Sequence, residues 1–202
     1  MHAQTTASAA PPAAGFTDAV AQSQLTFRAA LQALAHPGSV QPVAADCGVP
    51  PGLSAGMTAM LLALADVDAP VWLPAGVDDA VRQFLRFHCG CPLVDDPSQA
   101  RLAAVPAGHA APDLNRCHPG DPAYPDLSTT LLLEVESLEA GPAVTLAGPG
   151  IQTQRILRAA GLPAGFWEQW RANHQIFPLG VDVFLIRGNQ LCGLPRTVIA
   201  EG

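Results

Sequence analysis

The sequence predicts an α/β fold, with a mixed α+β arrangement as the alternative, in a single domain spanning 16–202. Strand-like apolar runs and helical stripes mix from one end of the chain to the other, with no internal repeat and no linker. Apolar residues make up 49% of the 202 residues and charged residues only 13%, a balance that calls for extensive burial. So few charges also suggest a face buried against another subunit.

The elements follow in order. Residues 1–15 are Ala/Pro/Thr-rich without periodicity and predict a disordered tail. Thr17 is a good N-cap for a helix running to about Ala35, with Val20, Phe27, Leu31 and Leu34 as its apolar stripe. His36-Pro37-Gly38 stops it, because Pro cannot continue a helix and Gly accepts a left-handed cap. Ser39 to Val43 predicts a short edge strand, since Pro42 is barred from a central ladder. Ser54 caps a buried helix reaching Ala65, and Val71-Trp72-Leu73 is a short strand. Asp78 or Asp79 opens a helix ending near Cys89, with Val81, Phe84, Leu85 and His88 on one face. Arg101 to Val105 is a candidate strand, and Pro106 to Leu127 a long Pro/Gly-rich loop of the kind that is functional or ordered by a partner. Thr129 to Val135 is a strong strand, with Ala143 to Ala147 expected as its neighbour. Phe166 to His174 is helical. Val181 to Ile186 is a buried strand, returning through a Gly188-Asn189 turn as Gln190 to Leu194.

All ten basic side chains are arginine; the chain has no lysine. A Walker A phosphate loop, a protein kinase site and a pyridoxal-phosphate Schiff base each need one. Any phosphate handling must use arginine, backbone N–H groups, histidine or a metal. A net charge of −7 argues against a nucleic-acid partner. No apolar run is long enough for a membrane span. The N-terminus shows no basic region before an apolar run, so no secretory signal is expected. Five cysteines, an odd number, point to free thiols in a reducing cytoplasm.

Several motifs invite chemistry. Gly52-Leu53-Ser54-Ala55-Gly56 matches the G-x-S-x-G of a nucleophile elbow, but Val49-Pro50-Pro51 cannot be its strand, so Ser54 is better explained as a helix cap. Gly148-Pro149-Gly150-Ile151 lacks the third glycine of a dinucleotide fingerprint, Thr153 standing there, and is better explained as a turn. His88-Cys89-Gly90-Cys91, with Cys117-His118, offers metal ligands, although C-x-C is atypical spacing and buried Cys is ordinary. No metal site is expected, with Cys89 and Cys91 as the weak candidates for one. Asp66 and Asp68 precede Pro70 and suit either Mg²⁺ or a turn. Arg86, His88 and Arg196 stand beside apolar anchors and suit either a phosphate or phosphonate ligand or internal carboxylates such as Asp66 or Asp182. Asp182 opens a hydrophobic run, where an Asp usually accepts nearby N–H groups.

An ordered series of motifs goes further. It comprises Phe27-Arg28 with His36-Pro37-Gly38, Leu64-Ala65-Asp66-Val67-Asp68-Ala69-Pro70-Val71-Trp72-Leu73, Leu85-Arg86-Phe87-His88 and Cys91-Pro92-Leu93-Val94. Tyr124-Pro125, Ser128-Thr129-Thr130-Leu131, Gly148-Pro149-Gly150-Ile151, Phe177-Pro178-Leu179-Gly180-Val181-Asp182 and Leu194-Pro195-Arg196-Thr197 complete it. From about Phe16 to Ile199 the series resembles the H subunit of the carbon–phosphorus lyase core complex, the phosphonate-metabolism PhnH family.

The resemblance implies an accessory subunit of a transferase/lyase complex in phosphonate catabolism, not catalytic by itself. It implies a role with the G, I and L subunits in making α-D-ribose 1-methylphosphonate 5-triphosphate from ATP and methylphosphonate. It also implies contact with the J subunit, a radical S-adenosylmethionine enzyme, and a homodimer when isolated. The implied fold is that of pyridoxal-phosphate-dependent transferases, without the cofactor. The family supplies no catalytic residue, so Arg86, His88, Asp66, Asp68, Asp182 and Arg196 stand as candidate ligand or interface contacts. The rival reading is a stand-alone enzyme that binds an anionic phospho or phosphonate ligand through its arginines.

Overall fold

The structure, a computed structural model, describes residues 11–201. Its centre is five parallel strands: β2 (Val71–Trp72), β3 (Leu93–Val94), β4 (Leu102–Val105), β5 (Thr130–Glu134) and β8 (Asp182–Arg187). β9 (Gln190–Leu194) returns antiparallel beside β8, and β1 (Val40–Pro42) pairs antiparallel with β9 at the edge, where Pro42 removes no central ladder bond. The order is β1-β9-β8-β5-β4-β2-β3. The result is a mixed α/β arrangement built on one large mixed sheet.

Period-two alternation explains its burial. In β5, Leu131 and Leu133 enter one core and Leu132 the other; in β8, Val183 and Leu185 oppose Phe184 and Ile186 in the same way. Both faces are therefore covered. One carries α1 (Ala19–Ala35), α2 (Ala55–Leu64) and α3 (Asp79–His88), which supply Ala33, Met57, Met60, Leu61, Val81 and Leu85. The other carries α4 (Phe166–Gln175) and a small antiparallel sheet. That sheet, in the order β10-β6-β7, comprises β6 (Ala143–Ala147), β7 (Arg155–Arg158) and β10 (Ile199–Glu201). Trp170 of α4 is fully buried, and its indole N–H donates to the Val198 carbonyl at 3.0 Å.

Three expectations are corrected. Ala143 to Ala147 does not neighbour the strong strand; β5 lies between β4 and β8, and β6 pairs with β7 and β10 instead. The expected stripe of α1 largely faces away from the core: Val20, Phe27 and Leu31 are 69%, 49% and 50% exposed, and Leu34 packs only in part. The buried face is Thr26, Ala30 and Ala33. The reason is close approach: a Cβ on Gly193 of β9 would lie 2.6 Å from the Ala33 backbone, so only small residues fit between helix and sheet. The N-cap is also one residue later than expected. Asp18 accepts the Ala21 N–H at 3.0 Å, while Thr17 donates its hydroxyl to Asp46.

Local signals hold elsewhere. Ser54 accepts the Met57 N–H and Asp78 the Ala80 N–H as helix caps. Gly188, at φ +60°, and Asn189 turn β8 into β9 with Arg187 opposite Gln190.

The long loop after β4 is tied down. Gln169 of α4 accepts the Leu114 N–H at 2.8 Å, and its amide donates to Asp113. The buried Thr129 hydroxyl accepts the His118 N–H and donates to the Ala100 carbonyl. Of the tail expected over 1–15, residues 1–10 lie outside the described residues. Ala14 accepts the Gly48 N–H, and the Ala13 carbonyl accepts from His88 Nε2 at 2.8 Å.

Gly193→Ala is expected to destabilise the protein by about 1–3 kcal/mol, because the new methyl group pushes α1 off the sheet. Denaturant unfolding checks this. A loss within about 0.5 kcal/mol, the range of ordinary surface substitutions, would contradict the close approach.

Candidate functional site

The two ends of the parallel sheet carry different chemistry. At the amino end, Asp182 opens β8 and holds Arg196, which lies just after β9. The guanidinium donates to both carboxylate oxygens, Nε to Oδ1 at 3.1 Å and Nη2 to Oδ2 at 2.6 Å. Oδ1 also accepts the Arg196 N–H at 2.7 Å. The remaining donors reach the Ser128 hydroxyl and the Pro125 and Pro178 carbonyls. Only 12% of the Arg196 side chain and 21% of the Asp182 side chain is exposed. This fork ties the β8 entrance, the β9 exit and the turn before β5 together, so most of its donors are already used.

The other candidates lie apart from that pair. The cleft that Arg196 lines with Phe177, Pro178 and Asp182 includes neither Arg86 nor His88. Arg86 is exposed in the last turn of α3 and makes no hydrogen bond among the described residues. His88 is packed on Phe84 and Phe87 and clasps the Ala13 carbonyl. A Cβ at Gly15 would fall 2.9 Å from His88 Nδ1, so that ring has a glycine laid across it. Asp66 and Asp68 are exposed in a turn, where Asp66 accepts the Asp68 N–H at 2.9 Å.

The motif residues have local duties. Ser54 caps α2 and donates its own N–H to Glu134, while Gly56 is held against the Gly188 carbonyl, 2.7 Å from where its Cβ would be. Gly150, at φ +82°, lies against the end of α1, where Arg155 donates to the His36 and Pro37 carbonyls. Among the described residues no group of three or more His, Cys, Asp or Glu side chains is placed to hold a metal ion. Burial pushes the thiols of Cys117 and Cys192 up to about 12, so both stay protonated at neutral pH.

The carboxyl end of the sheet carries an arrangement the sequence did not announce. In open α/β sheets that end is where ligands bind. Here a cleft of about 650 Å³ opens beyond β4, β5 and β8, lined by His109, Glu134, Glu136, Gly161 and Arg187 among others. Glu134, the last residue of β5, accepts the Ser54 N–H at 2.8 Å through Oε1 and the Ala107 N–H at 2.9 Å through Oε2. One carboxylate thus pins the start of α2 and the loop after β4 to the central strand, and it sits favourably at a helix N-terminus. Arg187 donates Nε to the Glu136 carbonyl at 2.8 Å and forms no ion pair among the described residues. Single charges at strand ends form no motif and leave no signal in a linear reading.

Residues 14–201 match the family model described as bacterial phosphonate metabolism protein, PhnH. The chain is 36% identical, over 92% of its length and 94% of its relative's, to the α-D-ribose 1-methylphosphonate 5-triphosphate synthase subunit PhnH of Rhizobium meliloti (strain 1021). It is also 30% identical, over 87% of its length and 84% of its relative's, to a putative C-P lyase subunit protein, HtxG, of Stutzerimonas stutzeri.

Arg196→Ala is expected to cost about 2–4 kcal/mol of folding stability, since it leaves the Asp182 carboxylate half-buried without its partner. Arg196→Lys should recover less than half of that, because an ammonium cannot span both oxygens and Ser128 together. Chemical denaturation of the three proteins tests both statements, and equal stability of all three would remove the structural role.

Proposed function

The chain belongs to the bacterial phosphonate metabolism PhnH family, and from that premise we propose that it is an accessory subunit of the carbon–phosphorus lyase complex. The observation that carries this is a likeness over nearly the whole of both chains to a relative named as a synthase subunit. The proposed role is in making α-D-ribose 1-methylphosphonate 5-triphosphate from ATP and methylphosphonate, together with the G, I and L subunits. Contact with the J subunit, a homodimer outside the complex and a cytoplasmic location belong to the same proposal.

Two features support a scaffold over a self-sufficient catalyst. The candidate cations do not converge: Arg196 is engaged by Asp182, His88 by a carbonyl, and Arg86 is exposed and lies outside the cleft that Arg196 lines. The apolar residues Val20, Phe27 and Leu31 stand uncovered along α1, as a surface for another chain would. Among the described residues no helix is long and apolar enough to cross a membrane.

The proposed kinship of the fold with pyridoxal-phosphate-dependent transferases is supported by the large mixed sheet with helices on it. The residues present do not fit that cofactor. Its internal aldimine forms on a lysine, and the chain has none.

Two experiments bear on this reading. A tagged chain co-expressed with the G, I and J subunits should co-purify with them in fixed proportion. If those three assemble and leave this chain behind, the subunit role fails. Absorbance spectra of the purified chain with pyridoxal phosphate should show no stoichiometric side-chain aldimine, and the appearance of one would overturn the cofactor-free reading.

A further inference from the structure

The cleft at the carboxyl end of the sheet holds charged groups that the fold leaves unpaired. Arg187, the last residue of β8, is anchored at one atom only. Its Nε donates to the Glu136 carbonyl at 2.8 Å, and its two Nη groups make no hydrogen bond among the described residues. Those two groups form an end-on fork, the shape that takes both oxygens of a carboxylate. The other polar groups of the lining are acceptors. His109 Nδ1 stands 3.2 Å from the Ala107 carbonyl, which can only accept, so Nδ1 carries the proton of the neutral ring and Nε2 is left as an acceptor. Glu134 takes one backbone N–H on each carboxylate oxygen and keeps a lone pair on each. The Glu136 carboxylate accepts no hydrogen bond among the described residues, where only its backbone carbonyl is engaged. Gly161, at φ +84°, is packed against the Glu136 stem, where a Cβ would fall 2.7 Å from Glu136 Cγ. Neither carboxylate comes within ion-pair distance of Arg187. Apolar residues, Ala111, Val135 and Pro163 among them, complete the lining.

From this arrangement we propose that the cleft binds a small zwitterion, an α-amino acid with a large apolar side chain. Its carboxylate sits on the Arg187 fork and its primary ammonium among Glu134, Glu136 and His109. One cationic fork set among acceptors calls for a ligand of both signs. A simple anion would bring its charge up against two carboxylates, and a simple cation would leave the fork desolvated without a partner. An ammonium carries three N–H donors, and the lining supplies three acceptor groups. The volume of about 650 Å³ lies within the range of small-molecule sites and exceeds what the two charged ends need, which leaves room for an apolar body of aromatic size. The position is also the one where open parallel sheets take their ligands. Arg196 at the opposite end of the sheet offers no such site, because its donors already reach Asp182, Ser128 and two carbonyls. A metal ion does not replace the ammonium, since no group of three or more His, Cys, Asp or Glu side chains is placed to hold one among the described residues. Such binding requires nothing of the subunit role.

Calorimetric titration of the full-length chain with three probes separates the two charged ends. L-Phenylalanine carries both, 3-phenylpropionate lacks the ammonium and 2-phenylethylamine lacks the carboxylate. L-Phenylalanine is expected to bind, and each of the other two to bind at least about tenfold more weakly, the scale of losing hydrogen bonds to a charged group. Arg187→Gln and Glu136→Gln should each weaken L-phenylalanine by a similar factor of about ten or more. Both residues are exposed, so neither change is expected to disturb folding, and thermal unfolding checks that. Glu136→Gln also keeps the backbone carbonyl that anchors Arg187. Arg86→Gln, at an exposed arginine outside the cleft, should leave the affinity unchanged. The assignment is overturned if wild-type protein binds no L-phenylalanine at about 10 mM, a concentration that reveals even millimolar affinity. It is overturned equally if either half-ligand binds as tightly as the zwitterion, or if L-phenylalanine binding survives both cleft substitutions.

Discussion

Everything in this molecule depends on burying β5 and β8 on both faces. Leu131, Leu132 and Leu133 are each nearly or wholly inaccessible, as are Val183, Phe184, Leu185 and Ile186. Parallel strands covered on both sides leave no room for function within the sheet, so helices take one face and a second sheet the other. Polar chemistry is pushed to the strand ends. At the amino end the Asp182–Arg196 fork closes the entrance, and at the carboxyl end Glu134 gathers two loops. Each carboxylate stands at the first or last residue of a central strand, where backbone N–H groups of the incoming loops need acceptors.

The same constraint decides what the surface looks like. The α1 helix can approach β9 only where its residues are small, and Gly193 meets Ala33 backbone to backbone. The larger apolar residues of that helix are therefore turned outward, not inward. A sequence pattern that normally marks a core face marks an exposed one here, which is a reason to see a partner surface in α1 and not a packing defect.

How much was legible follows from the range of each interaction. Caps and tight turns are decided within four residues, and Ser54, Asp78, Gly188 and Asn189 were readable for that reason. Strand existence was readable too, from apolar runs such as Val181 to Ile186. Strand partnership was not: β5 and β6 follow one another in the chain yet lie in different sheets, because parallel pairing with β4 and β8 is set by contacts far apart in sequence. Asp182 was readable as an acceptor of nearby N–H groups, but its actual donor lies fourteen residues on. The cleft of Glu134, Glu136, His109 and Arg187 was invisible, since residues from three separate strand ends make no local pattern.

The missing lysine takes its meaning from this architecture. A sheet of parallel strands with an open carboxyl end is a natural place for a cofactor, and the kinship proposed above would suggest pyridoxal phosphate. Chemistry forbids the covalent link, because no side-chain amine exists anywhere in the chain. What the fold supplies is a framework: two covered faces, loops fixed by Glu134 and Arg196, and an apolar helix surface left open. Those are the properties needed to hold a position within a larger assembly. A fold is evidence of what can be built on it, so the proposed subunit role rests on the family likeness and not on the architecture.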